Sequence, residues 1–255
     1  MIRRKSEREI DLMRKAGRIA AAARREAGKM VKAGATTRSI NNRVHNFILS
    51  HDAAPVFLGL KGFPASICTS VNEQVIHGVP GSRILKDGDI VSIDVGVIKN
   101  GYIGDCAATF VVGRAESEML RLIDITKQSF YEGLKYARVG YRVSDISLAV
   151  QICAEENGYS VVRDYVGHGV GRKLHEAPEI PNFVELPRKK PDPRLMAGMT
   201  IALEPMVNAG KPFIKILQDG WTVVTADGSR SAHFENTILI TNSDPEILTV
   251  CEGEP

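Results

Sequence analysis

The segment VSIDVGVIKNGYIGDCAATF, residues 91–110, constrains the fold more than any other part of the chain, because its pattern predicts a β-hairpin. Asn100-Gly101 is a strong two-residue turn signal with β-branched residues on both sides. With that turn as the loop, Asp94 lies opposite Ala107 on the neighbouring strand. Asp105 is then the diagonal neighbour of Asp94 on the same face, within roughly 8 Å.

The face that carries both aspartates favours a bound cation over solvent. A solvated strand face usually shows long charged side chains, whereas the rest of this face has no Lys, Arg or Glu. Two carboxylates at this range repel each other unless an ion or a proton lies between them. A divalent metal is the simplest such ion, although two aspartates cannot hold it alone. For Asp94 by itself, a merely solvated strand face is the alternative. The other members of the face are Ser92, Gly96, Ile98, Ile103, Ala107 and Thr109.

The chain also repeats itself, which suggests that two similar halves build one site. The segment VKAGATTRSINNRV resembles ARVGYRVSDISLAV, and each contains a glycine followed by the polar start of a predicted helix. Further along, LKDGDIVSIDVGV echoes LMAGMTIALEPMV, so Asp94 has an acidic counterpart in Glu204. We therefore expect one domain, 1–255, with pseudo-symmetric halves of about 1–114 and 115–255.

Two glutamates and three histidines complete the candidate site. Glu204 follows the apolar run MTIAL, where an isolated glutamate is rarely buried unless it is paired or bound. Glu235 lies in the strand-like segment SRSAHFENTILIT, where it parallels Asp105 as the second acid of its half. The tripeptide HGV occurs twice, each time ahead of an acidic strand, and its second copy lies in VGHGVGRKLHEAP. These motifs contain His77, His168 and His175, and the other histidines, interpreted as structural, are His45, His51 and His233.

One imidazole and four carboxylates form the candidate ligand set. Oxygen-rich ligation with one nitrogen suits Mn, Fe, Co or Zn better than a cysteine-type zinc site, and the four cysteines include no C-x-x-C pair. Four carboxylates exceed what one divalent ion needs for neutrality. Two ions about 3.5–4 Å apart, bridged by two of the carboxylates, would balance the charge and make a hydrolytic centre. The ligand set is Asp94, Asp105, His168, Glu204 and Glu235.

Composition narrows the class of protein. The net charge of +3 is too mild to indicate nucleic acid as the main partner, so no direct DNA role is expected. The start MIRRKSEREIDLMRKAGRIA is charged throughout, unlike a signal peptide, and no apolar run approaches membrane-spanning length. The scattered cysteines fit a reducing compartment. We therefore expect a cytoplasmic protein with no membrane partner, and a monomer.

With these residues in place, the sequence resembles a known family, the type I methionine aminopeptidases of the two-metal pita-bread hydrolases. The resemblance covers essentially the whole chain, and the order of ligands is Asp, Asp, His, Glu, Glu. It implies an α/β (α+β) pita-bread fold, in which a curved antiparallel sheet is flanked by helices. It also implies hydrolytic removal of the initiator methionine from nascent chains when the next residue is small. The motifs that carry it are SVNEQVIHGVP, DIVSIDVGVIKNGYIGDCAATF, VGHGVGRKLHEAP, LEPMVNAG and DGWTVVTADGSRSAHFENTILIT.

The resemblance assigns a role to each metal ligand. Asp94 would hold one of two divalent ions (Co, Mn, Fe or Zn), and His168 with Glu204 would hold the other. Asp105 and Glu235 would bridge them. Glu204 is also placed to accept the proton of the attacking water and pass it to the leaving amine.

The resemblance also implies a substrate cleft. His77 and His175 would line it, contact the peptide amide and stabilise the tetrahedral intermediate. The chain departs from many bacterial relatives at Leu60 and Leu174, where those carry aromatic residues, so details of the side-chain pocket differ. The pocket for the methionine side chain maps onto Phe63, Cys68 and Trp221.

The resemblance also implies binding partners, and two alternative functions remain open. The expected partner is the N-terminus of a nascent polypeptide, together with the ribosome near its exit tunnel, where bacterial relatives dock through basic loops. One alternative is an X-Pro aminopeptidase or prolidase, which typically carries a large extra N-terminal domain. Another is a non-enzymatic fold-mate, which would have lost metal ligands. The candidate ribosome contacts are Arg188, Lys189 and Lys190, or Lys211 and Lys215.

Overall fold

The computed structural model describes residues 2–185, 187 and 191–251, and within them the chain forms four α-helices, a short 3-10 helix and fifteen strands. None of the helices in these ranges is long and apolar enough to cross a membrane. The helices are α1 (Glu7–Met30), α2 (Thr37–Ser50), α3 (Ser117–Leu134) and α4 (Val143–Glu156), with the 3-10 helix at Leu60–Gly62. The strands are β1 (Ala54–Pro55), β2 (Cys68–Val71), β3 (Gln74–Ile76), β4 (Ile90–Lys99), β5 (Tyr102–Val111), β6 (Ser160–Val161), β7 (Gly167–Gly169), β8 (Glu176–Ile180), β9 (Thr200–Leu203), β10 (Met206–Asn208), β11 (Ile214–Ile216), β12 (Val223–Thr225), β13 (Ser231–His233), β14 (Glu235–Leu239) and β15 (Glu246–Ile247).

The predicted hairpin is β4–β5, and its register is the predicted one. Lys99 pairs with Tyr102 across the loop, and Asp94 lies opposite Ala107. Asn100-Gly101 occupies the turn with positive φ angles of 52° and 78°, as a type I′ turn requires at both central positions. The turn therefore sets the register of the two longest strands and, with it, the face on which each aspartate lies.

Helix α1 begins with a capping box and packs closely on this hairpin. The Ser6 hydroxyl accepts the Glu9 amide, and the Ser6 amide donates to the Glu9 carboxylate at 2.9 Å. A Cβ added to Gly104 of β5 would lie 2.5 Å from the Cα of Gly17, and one added to Gly17 would lie 2.2 Å from the carbonyl oxygen of Leu248. Only glycine permits this approach of helix and sheet, so the two glycines set the distance between them.

A nine-stranded antiparallel sheet joins strands from both halves of the sequence. Its main path is β1-β4-β5-β14-β9-β7-β8, with β2 beside β4 and β15 beside β14. Two smaller three-stranded sheets have the orders β13-β10-β6 and β11-β12-β3. Antiparallel sheets flanked by helices confirm the expected fold class, since the strand pairings of all three sheets are antiparallel.

The helices form two pairs that resemble one another, as the sequence repeat predicts. Helices α2 and α4 each contain 14 residues, and each follows a turn in which Gly34 or Gly140 has a positive φ of 87° or 102°. One buried apolar cluster lies between α1, α2 and the β4–β5 hairpin, and another lies between α3, α4 and β9. The central strands are held between these two cores.

Candidate metal centre

The strand register places three of the predicted acids on one face of the sheet. Asp94 of β4 pairs with Ala107 of β5, and Ala107 pairs on its other side with Glu235 of β14. Asp105 precedes Ala107 by two residues and therefore points to the same face. The hairpin and β14 thus bring together carboxylates that are far apart in the sequence.

The second half adds an imidazole and a fourth carboxylate to the same face. His168 of β7 pairs with Ala202 of β9, which pairs in turn with Thr237, two residues beyond Glu235 on β14. Glu204 follows Ala202 by two residues, just past the end of β9. All five predicted ligands line one cavity of about 320 Å³.

The distances between ligand atoms suit metal coordination. His168 Nε2 lies 3.4 Å from Glu204 Oε1 and 3.9 Å from Asp105 Oδ2. One ligand atom from each of Asp105, His168 and Glu235 lies within 4.8 Å of the other two. Ligands at about 2.0–2.2 Å from one ion lie at most about 4.4 Å apart, so small shifts complete such a shell.

The four carboxyl groups repel one another in a buried setting. Burial raises the pKa of Asp94 to about 7. Burial, reinforced by the other acids, raises the pKa values of Asp105, Glu204 and Glu235 well above the ordinary range. Such a cluster is costly for a folded chain unless protons or cations neutralise it.

Unpartnered polar atoms indicate that a cation fits here. Among the residues that the structure describes, Asp94 Oδ1, Asp105 Oδ1 and Glu235 Oε1 are buried without a hydrogen-bond partner. Buried polar atoms are rarely left unsatisfied, and an oxygen-rich cluster with orphaned lone pairs is what a divalent ion requires. The donor set therefore fits metal, which is the first requirement of the sequence hypothesis.

His168 presents its ligand nitrogen in the correct protonation state. Its Nδ1 lies 3.0 Å from the carbonyl oxygen of Gly169, which can only accept, so Nδ1 carries the proton. Nε2 then keeps a lone pair that faces the carboxylates. Burial lowers the pKa of His168 to about 4, so the ring is neutral at pH 7.

His77 and His175 line the same cavity. The His175 ring packs edge-on against His168 with ring centroids 4.3 Å apart, and His77 packs on Tyr165 at 5.4 Å. Burial lowers the pKa of His77 to about 4 and lowers that of His175 as well. Both are neutral imidazoles at pH 7, able to donate one hydrogen bond into the cavity.

An apolar pocket adjoins the carboxylates. Phe63 and Trp221 meet edge to face with centroids 5.2 Å apart, and Cys68 pairs with Asp94 across β2 and β4. Burial raises the pKa of Cys68 well above its ordinary value, so its thiol is neutral and weakly polar. Leu60 and Leu174, where the chain departs from the bacterial pattern, line the same cavity.

His233, which the sequence analysis interpreted as structural, lies beside two of the candidate ligands. It is 2% exposed, and its Nε2 lies 3.9 Å from Glu204 Oε2 and 4.0 Å from Glu235 Oε2. The signal in the sequence is the alternation along the strand, since residue 233 shares a face with Glu235. By contrast, His45 Nδ1 contacts the Ser66 hydroxyl at 2.8 Å and His51 Nδ1 contacts the Phe47 carbonyl oxygen at 2.8 Å.

Comparisons with known proteins agree with this geometry. The model of metallopeptidase family M24 matches residues 11–242. A methionine aminopeptidase of Clostridium perfringens is 55% identical over 250 residues, which cover 98% of this chain and 99% of that protein. The crystal structure of methionine aminopeptidase from Rickettsia prowazekii is 44% identical with a TM-score of 0.94, over 98% of this chain and 100% of that one. The prolidase from Pyrococcus furiosus, at 23% identity, a TM-score of 0.76 and with 65% of its length covered, shares the fold alone.

Proposed function

Because this chain belongs to metallopeptidase family M24, among its type I methionine aminopeptidases, we propose that it removes N-terminal methionine from polypeptides whose second residue is small. The observation that carries the proposal is the position of the buried Asp105–His168–Glu235 cluster beside an apolar pocket. A metal-ligand set supplies hydrolysis, and the adjoining pocket suits an unbranched thioether side chain. The whole chain, 1–255, acts in this proposal as one catalytic domain.

We propose two divalent ions, drawn from Co, Mn, Fe and Zn. Asp94 would hold one ion, and His168 with Glu204 would hold the other. Asp105 and Glu235 would be shared by both. Four carboxylates against two divalent cations leave the buried site neutral, which supports the count of two.

When bound, the ions supply a hydrolytic nucleophile at neutral pH and polarise the scissile carbonyl. Glu204 accepts a proton from the nucleophile and returns it to the leaving amine. His77 and His175 donate to the oxygen that gains negative charge, and being neutral they cost little charge repulsion beside the ions.

The pocket supplies specificity for methionine. Phe63 and Trp221 enclose apolar space, and Cys68 adds a soft, neutral wall. Leu60 and Leu174 replace aromatic walls with flexible aliphatic ones, which supports tolerance of small changes in the thioether. The substrate's free amino group binds at the carboxylate end, so the reaction is confined to the first residue of a chain.

We further propose that the enzyme acts in the cytoplasm, as a monomer, on nascent chains near the ribosomal exit tunnel. Support for the ribosome as partner comes from exposed basic side chains at Lys211 and Lys215, which flank the exposed Phe213 on the β11 hairpin. The other candidate contacts, Arg188, Lys189 and Lys190, lie outside the described residues.

The deciding experiment is product analysis by mass spectrometry on Met-Ala-Ser, Met-Leu-Ser and Ala-Pro-Ser peptides. The protein is treated with chelator, and Mn, Co, Fe or Zn is then restored. We expect metal-dependent loss of methionine from Met-Ala-Ser alone. Cleavage of Ala-Pro-Ser would assign the chain to the proline-specific branch, and no cleavage with any metal would support a binding protein.

A substitution at one ligand tests the site itself. Asp94→Ala removes a buried carboxylate that holds metal in this proposal, so we expect activity and stoichiometric metal to be lost. The fold should persist, since one source of charge repulsion is removed with it. Retained turnover would refute the assignment. Asp124→Ala, which removes an exposed carboxylate on α3, is the matched control and should leave both quantities unchanged.

A further inference from the structure

The loop that carries His175 is held by a contact with Lys5, 171 residues earlier in the sequence than its partner Glu176. It links β7 to β8 and spans the third glycine of VGHGVGRKLHEAP, at position 171, through Glu176. The Glu176 carboxylate turns back over this loop, and its Oε1 accepts the amides of Arg172 at 3.0 Å and Lys173 at 3.2 Å. Its Oε2 accepts the ammonium of Lys5 at 2.8 Å. One side chain therefore closes the loop on itself and fastens it to residue 5.

This ion pair is shielded from water. The Lys5 side chain is 6% exposed and that of Glu176 is 12% exposed. Burial alone would raise the pKa of Glu176, but the Lys5 ammonium and the loop amides outweigh it and hold that pKa below its ordinary value. Charge-assisted hydrogen bonds in a shielded setting are stronger and more directional than surface ion pairs. Loss of one partner would leave a buried charge uncompensated.

The Lys5–Glu176 ion pair also leaves little space for a side chain at position 171, which is a glycine. A Cβ at this position would lie 2.7 Å from Glu176 Oε1 and 2.7 Å from Lys5 Cε. Both neighbours are side-chain atoms of the ion pair, so a side chain at this position would displace one of its partners. The Gly171 carbonyl also accepts the Ile103 amide of β5 at 2.9 Å, which attaches the loop to the hairpin that carries the aspartates.

The N-terminal arm, residues 2–6, is itself anchored at the strand that leads to Glu204. The Lys5 amide donates to the Gly198 carbonyl at 2.7 Å, and the Arg4 guanidinium donates to the Ala197 carbonyl at 2.8 Å. Gly198 lies in the turn before β9, and its amide donates to the Ile240 carbonyl at 3.0 Å. The arm thus bridges the turn that precedes one catalytic strand and the loop of a catalytic histidine.

We infer that Lys5 is a positioning residue for His175. The inference rests on the proposed function of His175. Through Glu176, Lys5 fixes the conformation of the loop backbone. That backbone in turn fixes the position of the His175 ring against His168, with the ring centroids 4.3 Å apart. An oxyanion donor must be held to a fraction of an ångström, so a loosened loop lowers turnover more than substrate binding.

A double-mutant cycle between Lys5 and His175 tests the inference. Lys5→Met keeps the length and apolar stem of the side chain and removes its charge. We expect kcat to fall about tenfold in the otherwise unchanged enzyme, with KM and metal content nearly constant, and by no more than about twofold in the His175→Ala background. An equal loss in both backgrounds, or no loss in either, would overturn the inference.

Controls separate positioning from general damage to the fold. Arg3→Met makes the same change of charge at an exposed position of the same arm and should leave kcat unchanged. Lys5→Gln keeps a donor and should give a smaller loss with the same coupling to His175, which preserves the test if Lys5→Met folds poorly. Retention of full activity by Lys5→Gln in a well-folded protein would contradict a role for the charge.

Hydrogen exchange gives a measure that does not depend on turnover. In Lys5→Met the amides of Arg172 and Lys173 should exchange faster, while those of α1 and the β4–β5 hairpin stay protected. Unchanged exchange at the two loop amides would overturn the inference even if kcat fell. If the unmodified protein released no methionine, the proposed function would fail instead, and exchange would still report on the link between Lys5 and the loop.

Discussion

At the scale of single residues, the proposed metal centre is a set of buried carboxyl groups that repel one another when no cation is bound. Hydrogen bonds hold the backbone of these residues in place. Thr237 illustrates the support behind the ligands, because its hydroxyl accepts the Asp105 amide at 3.0 Å and donates to the Asp105 carbonyl at 2.9 Å. Arg24, buried on α1, donates to the side chain of Asn236 at 3.1 Å, beside Glu235. Ligands fixed in this way lose little freedom on binding metal, which favours affinity.

His233 is expected to tune the metal affinity without being a ligand in the proposed set. His233→Phe keeps a ring of similar size and removes the nitrogen that faces Glu204 and Glu235 at about 4 Å. Groups that orient ligands typically contribute about tenfold or more to affinity, so we expect metal dissociation constants about tenfold weaker. Competition with a metal-binding dye measures this. His51→Phe, at an exposed ring remote from the cavity, is the control, and equal affinities in both variants would exclude the role.

At the scale of elements, α1 connects local sequence signals to the position of the site. Its capping box starts the helix, its alanine-rich stripe packs on β4 and β5, and its glycine permits close contact with the sheet. The Glu9 carboxylate also accepts the Tyr102 hydroxyl at 2.7 Å, so the cap and the hairpin share one group. The helix start and the hairpin end are therefore fixed together.

The cap predicts a specific dependence of stability on pH. The Ser6 amide and then the Tyr102 hydroxyl lower the pKa of Glu9 from 4.5 to about 2. A lowered pKa in the folded state adds stability above the unfolded value and loses it as pH falls from about 4.5 to about 2. In urea unfolding of metal-free protein, Glu9→Gln should cost about 1 kcal/mol at pH 7 and progressively less at lower pH. Glu7→Gln, at an exposed position of the same turn, is the matched control for the change of charge. A cost of Glu9→Gln that stays constant across this pH range would contradict this account.

The contact between α1 and the sheet predicts that a better helix former destabilises the protein. Alanine in place of Gly17 gains about 1 kcal/mol of helix propensity. The new Cβ would lie 2.2 Å from the Leu248 carbonyl oxygen, and overpacking of this kind costs about 1–3 kcal/mol. We expect Gly17→Ala to lower the thermal midpoint. Ala22→Gly changes helix propensity at a half-buried position of the same helix, so it measures the propensity contribution separately. A raised thermal midpoint for Gly17→Ala would refute the packing argument.

At the scale of the whole molecule, one sheet joins the two halves, and the centre lies where they meet. Strand β14 pairs with β5 on one side and with β9 on the other, so it is the junction between the hairpin of the first half and the strands of the second. The five proposed ligands, which come from the hairpin and from the later strands, line one cavity.

This arrangement predicts that metal stabilises the whole fold. Removal of metal leaves four buried carboxyl groups that repel one another, whereas a ligand at 100 times its dissociation constant adds about 2.7 kcal/mol. For a chain of this size, chelation should lower the thermal midpoint by roughly 5–10 °C, and restored metal should reverse the change. Scanning calorimetry measures both. Asp94→Ala should respond much less, and identical midpoints with and without metal would contradict the prediction.

Local sequence signals determined much of this protein. The Asn100-Gly101 turn and the alternation around it determined the hairpin register, and hence the adjacency of Asp94 and Asp105. Ser6 and Glu9 determined the start of α1. The internal repeat, together with the family resemblance, predicted which distant acids and which histidine join the aspartates, and the cavity contains all of them. The turn, the hairpin register and the start of α1 depend on residues that are neighbours along the chain, where backbone geometry restricts the options.

Tertiary structure alone decided the rest. The approach of His233 to Glu204 follows from the pairing of β13 with β10, and the contact between Lys5 and Glu176 joins positions 171 residues apart in the sequence. A histidine on a strand or a lysine near the start of the chain has no local signal for its partner. Which carboxylate each one meets depends on the order and register of strands from both halves, and packing of the whole sheet sets these together.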